Sequence, residues 1–151
     1  MRADDIPVAH TPPGGYGAEM PPPILAGCTE PLVAGAVDLR GTWRLVSVEA
    51  KTGDWSAMVG HVQRVEQCGD RVVITAGGVV HDMRADGTVE RGVHDVSPQG
   101  TPITVVCTFE DGVHVLRPVG MDGIEVTRRL DGEQLVWDYG PFFTARMERI
   151  A

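Results

Sequence analysis

From Asp38 to the end of the chain, short runs of alternating apolar and polar residues follow one another, and most of them end at a turn dipeptide. Glycine and aspartate tolerate the positive φ of tight hairpin turns, so this rhythm predicts β-hairpins rather than helices. The turn dipeptides are Gly69-Asp70, Gly77-Gly78, Asp86-Gly87, Asp111-Gly112, Asp122-Gly123, Asp131-Gly132 and Gly140-Pro141. About ten strands are predicted, near residues 42–50, 61–67, 71–76, 79–85, 88–96, 102–109, 113–119, 124–130, 134–139 and 142–150.

A series of antiparallel hairpins has two exposed edges unless it closes on itself. Closure into a barrel removes those edges, and a small barrel can enclose one ligand. We therefore predict an all-β fold for residues 38–151, a single antiparallel up-and-down β-barrel of about 8–10 strands. The barrel interior is the first place to look for function.

Residues 1–37 differ in composition from the rest of the chain. Stacked prolines and glycines, as in Met20-Pro-Pro-Pro, suit neither a helix nor a strand. One interpretation is a flexible leader. The other is a mobile lid over the barrel mouth, because Ile24, Leu25 and further apolar residues exceed what a solvated tail needs.

Alternation within each strand sorts the side chains between the lumen and the outer surface. In the strand from residue 124, Val126 and Arg128 share an apolar face, and we expect both to point inward. In the next strand we expect Trp137 and Tyr139 to point inward. A buried arginine needs a partner, either a ligand anion or a buried carboxylate, so Arg128 is the leading candidate for ligand contact.

The faces of two other strands are harder to assign. In the strand from residue 113 the pattern favours an inward Arg117 over an inward His114 and Leu116. In the last strand both faces are mixed, and the pattern leaves open which of them lines the lumen.

The composition narrows the partners and the location. The formal net charge is −8, and no run of lysine or arginine offsets it, which disfavours nucleic acid and anionic membrane surfaces. No segment approaches the ~18 apolar residues of a membrane span, and the first residues lack the apolar core of a signal peptide. Three scattered cysteines predict no disulfide framework and suit a reducing compartment. We therefore expect a cytoplasmic protein without membrane insertion.

The sequence contains no recognisable catalytic or metal-binding motif. The five histidines lack metal-ligand spacing and are expected at surface or hydrogen-bonded positions. There is no nucleophile elbow, phosphate loop or dinucleotide-binding loop. We predict neither a metal nor a cofactor.

The segment Leu39-Arg-Gly-Thr-Trp-Arg-Leu-Val-Ser resembles the first strand of lipocalin-like and fatty-acid-binding-protein-like barrels, the calycins, in which a Gly-x-Trp begins the barrel. The segments starting at Thr104, Met121 and Thr144 are similar, in order, to the last strands of a fatty-acid-binding protein. The resemblance implies a calycin-like barrel over residues 39–151. It also implies a bacterial type without a helical lid, because residues 50–61 are too few for a helical hairpin.

The resemblance also implies roles for individual residues. In that family an arginine of the eighth strand and an Arg-x-Tyr of the last strand hold a fatty acid's carboxylate, which implies Arg128 and Arg146 as contacts. Glu148 stands where the tyrosine would be. Trp43 would have a structural role at the closed end of the barrel, with Arg146 or Arg149 across its ring.

Two functional hypotheses follow, beside a third interpretation as a purely structural barrel with a packed lumen, and the sequence leaves open whether the barrel is a homodimer. In the first, the lumen binds one small apolar or amphipathic molecule, fatty-acid-like or polyketide-like. Its candidate contacts are Arg117, Val126, Arg128, Trp137, Tyr139, Arg146 and Glu148.

In the second hypothesis the protein is a cofactor-free cyclase or isomerase of antibiotic biosynthesis, which folds a polyketide for Diels–Alder-type or spiro ring closure under the leader. Small lipocalin-like barrels that act as polyketide cyclases imply this role. The single lysine, Lys51, among many arginines also fits a GC-rich bacterial genome.

Overall fold

The computed structural model describes residues 1–151. One antiparallel sheet contains ten strands, and two short 3₁₀ turns, Ala3–Asp5 and Ser56–Met58, lie outside it. No helix is both long enough and apolar enough to span a membrane. The strands are β1 (Gly41–Ala50), β2 (Val62–Cys68), β3 (Arg71–Ala76), β4 (Val79–Arg84), β5 (Val93–Val96), β6 (Pro102–Glu110), β7 (Val113–Pro118), β8 (Val126–Asp131), β9 (Gln134–Tyr139) and β10 (Phe143–Arg149).

The sheet curls into a nearly closed barrel. Its strand order is β4-β3-β2-β1-β10-β9-β8-β7-β6-β5, so every strand after β1 except β5 pairs with the strand before it in sequence. The first and last strands pair with each other, and β4 and β5 are the two edges. One backbone hydrogen bond joins the chain at these edges, from Arg84 N–H to the carbonyl of Arg91 at 2.7 Å. The predicted all-β, antiparallel up-and-down barrel is therefore confirmed.

One predicted strand is much shorter than expected. The strand predicted over 88–96 begins only at Val93. The preceding residues form a turn in which Asp86 Oδ1 accepts hydrogen bonds from the backbone N–H and the hydroxyl of Thr88, at 3.0 and 2.7 Å. This local side-chain bonding competes with strand pairing and leaves β5 with four residues.

Trp43 lies fully buried at the end of the barrel opposite the mouth. Its indole N–H donates to the Leu39 carbonyl at 2.8 Å. The guanidinium of Arg149 lies over the indole ring, 4.6 Å from the ring centre. The ring therefore packs this end of the core and is covered from outside by a cation.

The leader runs along the outer face of β2, β3 and β4. Its first turn is held by Arg71 and Asp82, a buried ion pair with 2.6 Å between Nη2 and Oδ2. The guanidinium of Arg71 also donates to the carbonyls of Ala3 and Pro7, at 2.9 and 2.8 Å, and to that of Ile6. These outward-facing charges therefore bind leader carbonyls that have no strand partner in the sheet.

The second part of the leader is also fastened to this face. The carboxylate of Glu66 accepts the backbone N–H groups of Ile24 and Leu25, at 3.0 and 2.7 Å. Cys28 and Cys68 form a disulfide, with 6.2 Å between their Cα atoms. The expectation of unpaired cysteines is wrong, because the docked leader brings together two residues that lie far apart in sequence.

The leader's position also differs from the predicted lid. Most of its length lies against the side wall, and it reaches the rim of the mouth where Tyr16 N–H donates to the carbonyl of Gly78 at 2.8 Å. Polar side chains on β2, β3 and β4 supply the partners that a solvated tail would find in water.

Candidate ligand-binding cavity

A cavity of about 530 Å³ occupies the mouth half of the lumen. Its wall is mostly apolar on the side formed by β5 to β8, and no aspartate or glutamate lines it. The apolar residues of this side include Val93, Ile103, Val105, Leu116, Pro118 and Val126. The larger polar side chains that line the cavity are those of His61, Gln63, His81, Arg128 and Tyr139.

Arg128 on β8 lies at the inner end of this cavity and is 4% exposed. Its Nε donates to Gln63 Oε1 at 3.3 Å, whereas its Nη1 is buried with no partner. Burial lowers the pKa of Arg128 to about 10. A cation in this position attracts an anion or a carbonyl oxygen from whatever occupies the lumen.

Trp137 is the cross-strand neighbour of Arg128, and its ring centre lies 5.0 Å from the guanidinium carbon. The indole Nε1 is also buried without a partner. Arg128 and Trp137 therefore each carry a buried, unpaired N–H donor, and both residues line the cavity. On the mouth side Val126 and Tyr139, which pair with each other across β8 and β9, extend the same wall.

Behind Arg128 lies a buried pair, Cys107 and His114, with 3.2 Å between Sγ and Nε2. Burial, reinforced by the charge of Arg128, lowers the pKa of His114 to about 3. Burial raises the pKa of Cys107 to about 12. A neutral thiol hydrogen-bonded to a neutral imidazole is a poor nucleophile, so this pair is a packing element of the lumen floor.

Sequence reasoning missed much of the cavity lining, including the polar residues Gln63, His61 and His81. The His61 ring stacks on Trp137 with centres 5.7 Å apart, and His81 Nδ1 is buried without a partner. Burial and the charge of Arg128 lower the pKa of both histidines. The available signal was alternation along β4, which gives His81 the same face as Val79 and Met83.

The expected inward position of Arg117 is wrong. Arg117 lies on the outer face, where it pairs with Glu110 and Glu125, with N–O distances of 2.5 and 3.0 Å. His114 and Leu116 point inward instead. Two outer glutamates stabilise Arg117 in water-accessible positions, whereas the lumen would strip its solvation without offering a carboxylate.

The last strand turns Arg146 and Glu148 outward, away from the cavity. Arg146 pairs with Asp131 at 3.0 Å, and Glu148 is exposed. The inward residues of β10 are Phe143, Ala145 and Met147. Because neither Arg146 nor Glu148 reaches the lumen, the contacts that the resemblance implied for them do not form, and Arg149 rather than Arg146 covers Trp43.

No protein-family model matches the chain, and no curated protein matches it in sequence. Among solved structures, zebrafish ileal bile acid-binding protein complexed with cholic acid superimposes with a TM-score of 0.57 at 14% identity, covering 74% of this chain and 98% of that one. Human cRBP IV gives a TM-score of 0.55 at 14% identity, covering 75% and 98%. The chain shares the β-barrel fold of these two proteins, as its resemblance to such barrels implied. In this calycin-like barrel, residues 1–37 are the leader described above, and its bacterial origin stays a prediction.

Proposed function

We propose that the calycin-like barrel binds one small, largely apolar molecule whose acidic or carbonyl end contacts Arg128. The observation that carries this proposal is a buried guanidinium with a free Nη1 in a cavity that no carboxylate lines. A buried, unpaired charge costs several kcal/mol, so an anion that enters recovers much of that cost. One similar structure holds cholic acid, which supports an acidic ligand.

The remaining cavity supports an apolar body for this molecule. Its volume of about 530 Å³ lies within the usual range for small-molecule sites. Trp137 offers a second N–H donor beside Arg128, and Val126 and Tyr139 flank the body of the ligand. Both a fatty-acid-like and a polyketide-like molecule meet these requirements.

The cyclase hypothesis, the cytoplasmic location and the homodimer stay predictions. Most of the leader follows the side wall and none of its residues lines the cavity, so the lid that the cyclase hypothesis needs also stays a prediction. The Cys28–Cys68 disulfide counts against a reducing compartment, where most thiols stay unpaired.

Native mass spectrometry of the purified protein, followed by denaturing extraction, identifies any molecule that remains bound. Binding of hexadecanoic acid and of hexadecan-1-ol to Arg128→Met and to its exposed neighbour variant Arg129→Met then tests the site. We expect Arg128→Met to weaken binding of the acid by about tenfold or more. The alcohol should change little, and Arg129→Met should match the wild type.

Equal affinity of the wild type and Arg128→Met for the acid would remove Arg128 from the site. Failure of every acid, alcohol and fluorescent apolar probe to bind would overturn the proposal as a whole.

A further inference from the structure

We infer that the leader closes a second entrance to the lumen, in the side wall between β4 and β5, and that the Cys28–Cys68 disulfide keeps this entrance shut. The inference deepens the proposed function and rests on it only for the movement of ligand. The opening itself is a property of the wall and can be measured without a ligand.

The first observation is that a leader residue fills the place of the missing β4–β5 ladder. Thr11 Oγ1 accepts the backbone N–H of Val80 on β4 at 3.0 Å and donates to Asp95 Oδ2 on β5 at 2.6 Å. The Thr11 N–H also donates to the Asp95 carboxylate, at 3.1 Å. Thr11 is 8% exposed, so it is a buried part of the barrel wall.

The second observation is that the gap borders the ligand cavity. His81 on β4 and Val93 on β5 both line that cavity. Asp95 has the same strand parity as Val93, so the carboxylate that holds Thr11 starts from the inner side of β5.

A second cavity, of about 660 Å³, lies on the outer side of this gap. Leader residues between Ala3 and His10 line it together with Met83, Gly92 and His94 from the two edges. Removing the leader would therefore expose this second cavity to solvent, and with it the gap between β4 and β5.

The third observation is that the leader's contacts form one continuous series that starts at the disulfide. Beside Cys28, Thr29 N–H donates to the Met1 carbonyl at 2.9 Å, and Glu30 Oε1 accepts the Ala3 N–H at 3.0 Å. The start of the leader thus rests on the segment that the disulfide fixes.

From there the series continues to the gap. Arg71 binds the carbonyls that follow Ala3, and Asp82 Oδ2 accepts the N–H of Ala9 at 2.9 Å, two residues before Thr11. Breaking the disulfide therefore loosens one end of this series of contacts, and the other end, at Thr11, bridges β4 and β5.

Breaking the disulfide requires a dithiol reductant. One thiolate of the reductant attacks a disulfide sulfur, the Cys28–Cys68 bond breaks, and a mixed disulfide forms. The second thiol of the reductant then displaces the protein sulfur, leaving two protein thiols and an oxidised, disulfide-bonded reductant, so two electrons and two protons have been transferred. Cys28 is partly exposed and gives access, whereas Cys68 and the free Cys107 are buried.

Amide hydrogen exchange measures the opening of the wall between β4 and β5. The same sample is measured oxidised, then reduced with dithiothreitol, then reoxidised. The reporter is the Val80 N–H, whose acceptor is Thr11, and the reference is the Met147 N–H in the central β1–β10 region. Reduction should accelerate Val80 exchange about tenfold or more while Met147 stays protected, and reoxidation should restore the slow rate.

Matched variants separate the effect of Thr11 from that of the disulfide. In oxidised Thr11→Val the Val80 N–H should already exchange rapidly, whereas in Thr127→Val, the same change on β8 away from the leader, it should exchange as in the wild type. In Cys28→Ser the Val80 N–H should exchange rapidly with or without dithiothreitol.

Release of bound 1-anilinonaphthalene-8-sulfonate, followed by stopped flow, measures the entrance. We expect severalfold faster release from the reduced protein and from Thr11→Val. Unchanged Val80 exchange on reduction would overturn the inference, and so would equal acceleration at Val80 and Met147, which would make the disulfide a general stabiliser. Faster Val80 exchange with unchanged probe release would show that the opened wall is not an entrance for ligands. If the probe does not bind at all, faster Val80 exchange still supports the opening of the wall and contradicts the proposed function instead.

Discussion

Arg128 and Trp137 lie directly opposite each other on β8 and β9, and the guanidinium carbon is 5.0 Å from the centre of the indole ring. Apart from the hydrogen bond to Gln63 Oε1, this indole face is the partner that the lumen gives the arginine, and no carboxylate lines the cavity. A cation–π contact contributes about 1–2 kcal/mol, less than the desolvation of a buried guanidinium costs. The ligand-free protein therefore carries a destabilising group at the centre of its cavity.

Arg128→Met should consequently raise the free energy of unfolding of the ligand-free protein by about 2 kcal/mol, because a flexible apolar side chain of similar length replaces an unpaired charge. Urea unfolding followed by tryptophan fluorescence measures the change. Arg129→Met, on the exposed face of the same strand, is the control and should shift the free energy by less than about 0.5 kcal/mol. A destabilised Arg128→Met would mean that the lumen already contains a partner for this charge.

His114 should make the protein sensitive to mild acid. Its pKa is near 3 in the folded protein, below the ordinary value of 6.5, so the unfolded chain takes up the proton first. Stability is therefore fully present above pH 6.5 and is lost as the pH falls toward 3. At about 1.4 kcal/mol per pH unit, the loss between pH 6.5 and 5 should be about 2 kcal/mol.

His114→Leu removes this titration and is the variant that tests it. Urea unfolding at several pH values should give a flatter dependence for His114→Leu than for the wild type over this range. Parallel curves would show that other groups, such as His61 and His81, govern the acid sensitivity.

Asp82 should be essential for stability although it lies on the outer face of the barrel, away from the ligand cavity. Asp82→Asn leaves Arg71 buried beside a neutral amide, and removal of one partner of a buried ion pair costs about 3–5 kcal/mol. Thermal unfolding should show a large loss, because leader carbonyls alone cannot neutralise the guanidinium. The exposed Asp122→Asn is the matched control and should unfold as the wild type does.

Arg149 and Arg146 lie three positions apart on β10 and should respond differently to truncation. Arg149→Ala uncovers the Trp43 ring and loses a cation–π contact, which should cost about 1 kcal/mol. Arg146→Ala removes an exposed ion pair with Asp131 and should cost about 0.5 kcal/mol or less. Denaturant unfolding measures the free energy of unfolding of both variants. Equal losses would mean that the contact between Arg149 and Trp43 stabilises the protein no more than the exposed ion pair does.

The barrel could be predicted from the sequence because glycine-containing turns recur along it and several of the strands between them alternate. The inward positions of Arg128 and Trp137 followed from strands in which one face is clearly more polar than the other. In β7 that difference disappears: the outer face includes the buried Val115, and the inner face includes His114. Hydrophobicity could not distinguish these faces, since a hydrogen bond to Cys107 is what allows His114 inside.

The leader could not be placed from sequence for a different reason. Its prolines and glycines indicate only that it forms neither helix nor strand, whereas its position depends on outward charges such as Arg71 and Asp82, which lie at least 60 residues further along the chain. The sequence did carry two signals, a cysteine within the leader and charges within β-prone runs. Neither identifies its partner without the fold.

Every link between the strands β1–β4 and the strands β5–β9 within the sheet passes through β10, which pairs with β1 on one side and β9 on the other. A stop codon before Phe143 would therefore divide the sheet instead of shortening it. The product would be two open sheets, with β1 and β9 as new unpaired edges. Such edges pair readily with strands of other molecules, so we expect a loss of this last strand to be seen as aggregation rather than as a smaller barrel.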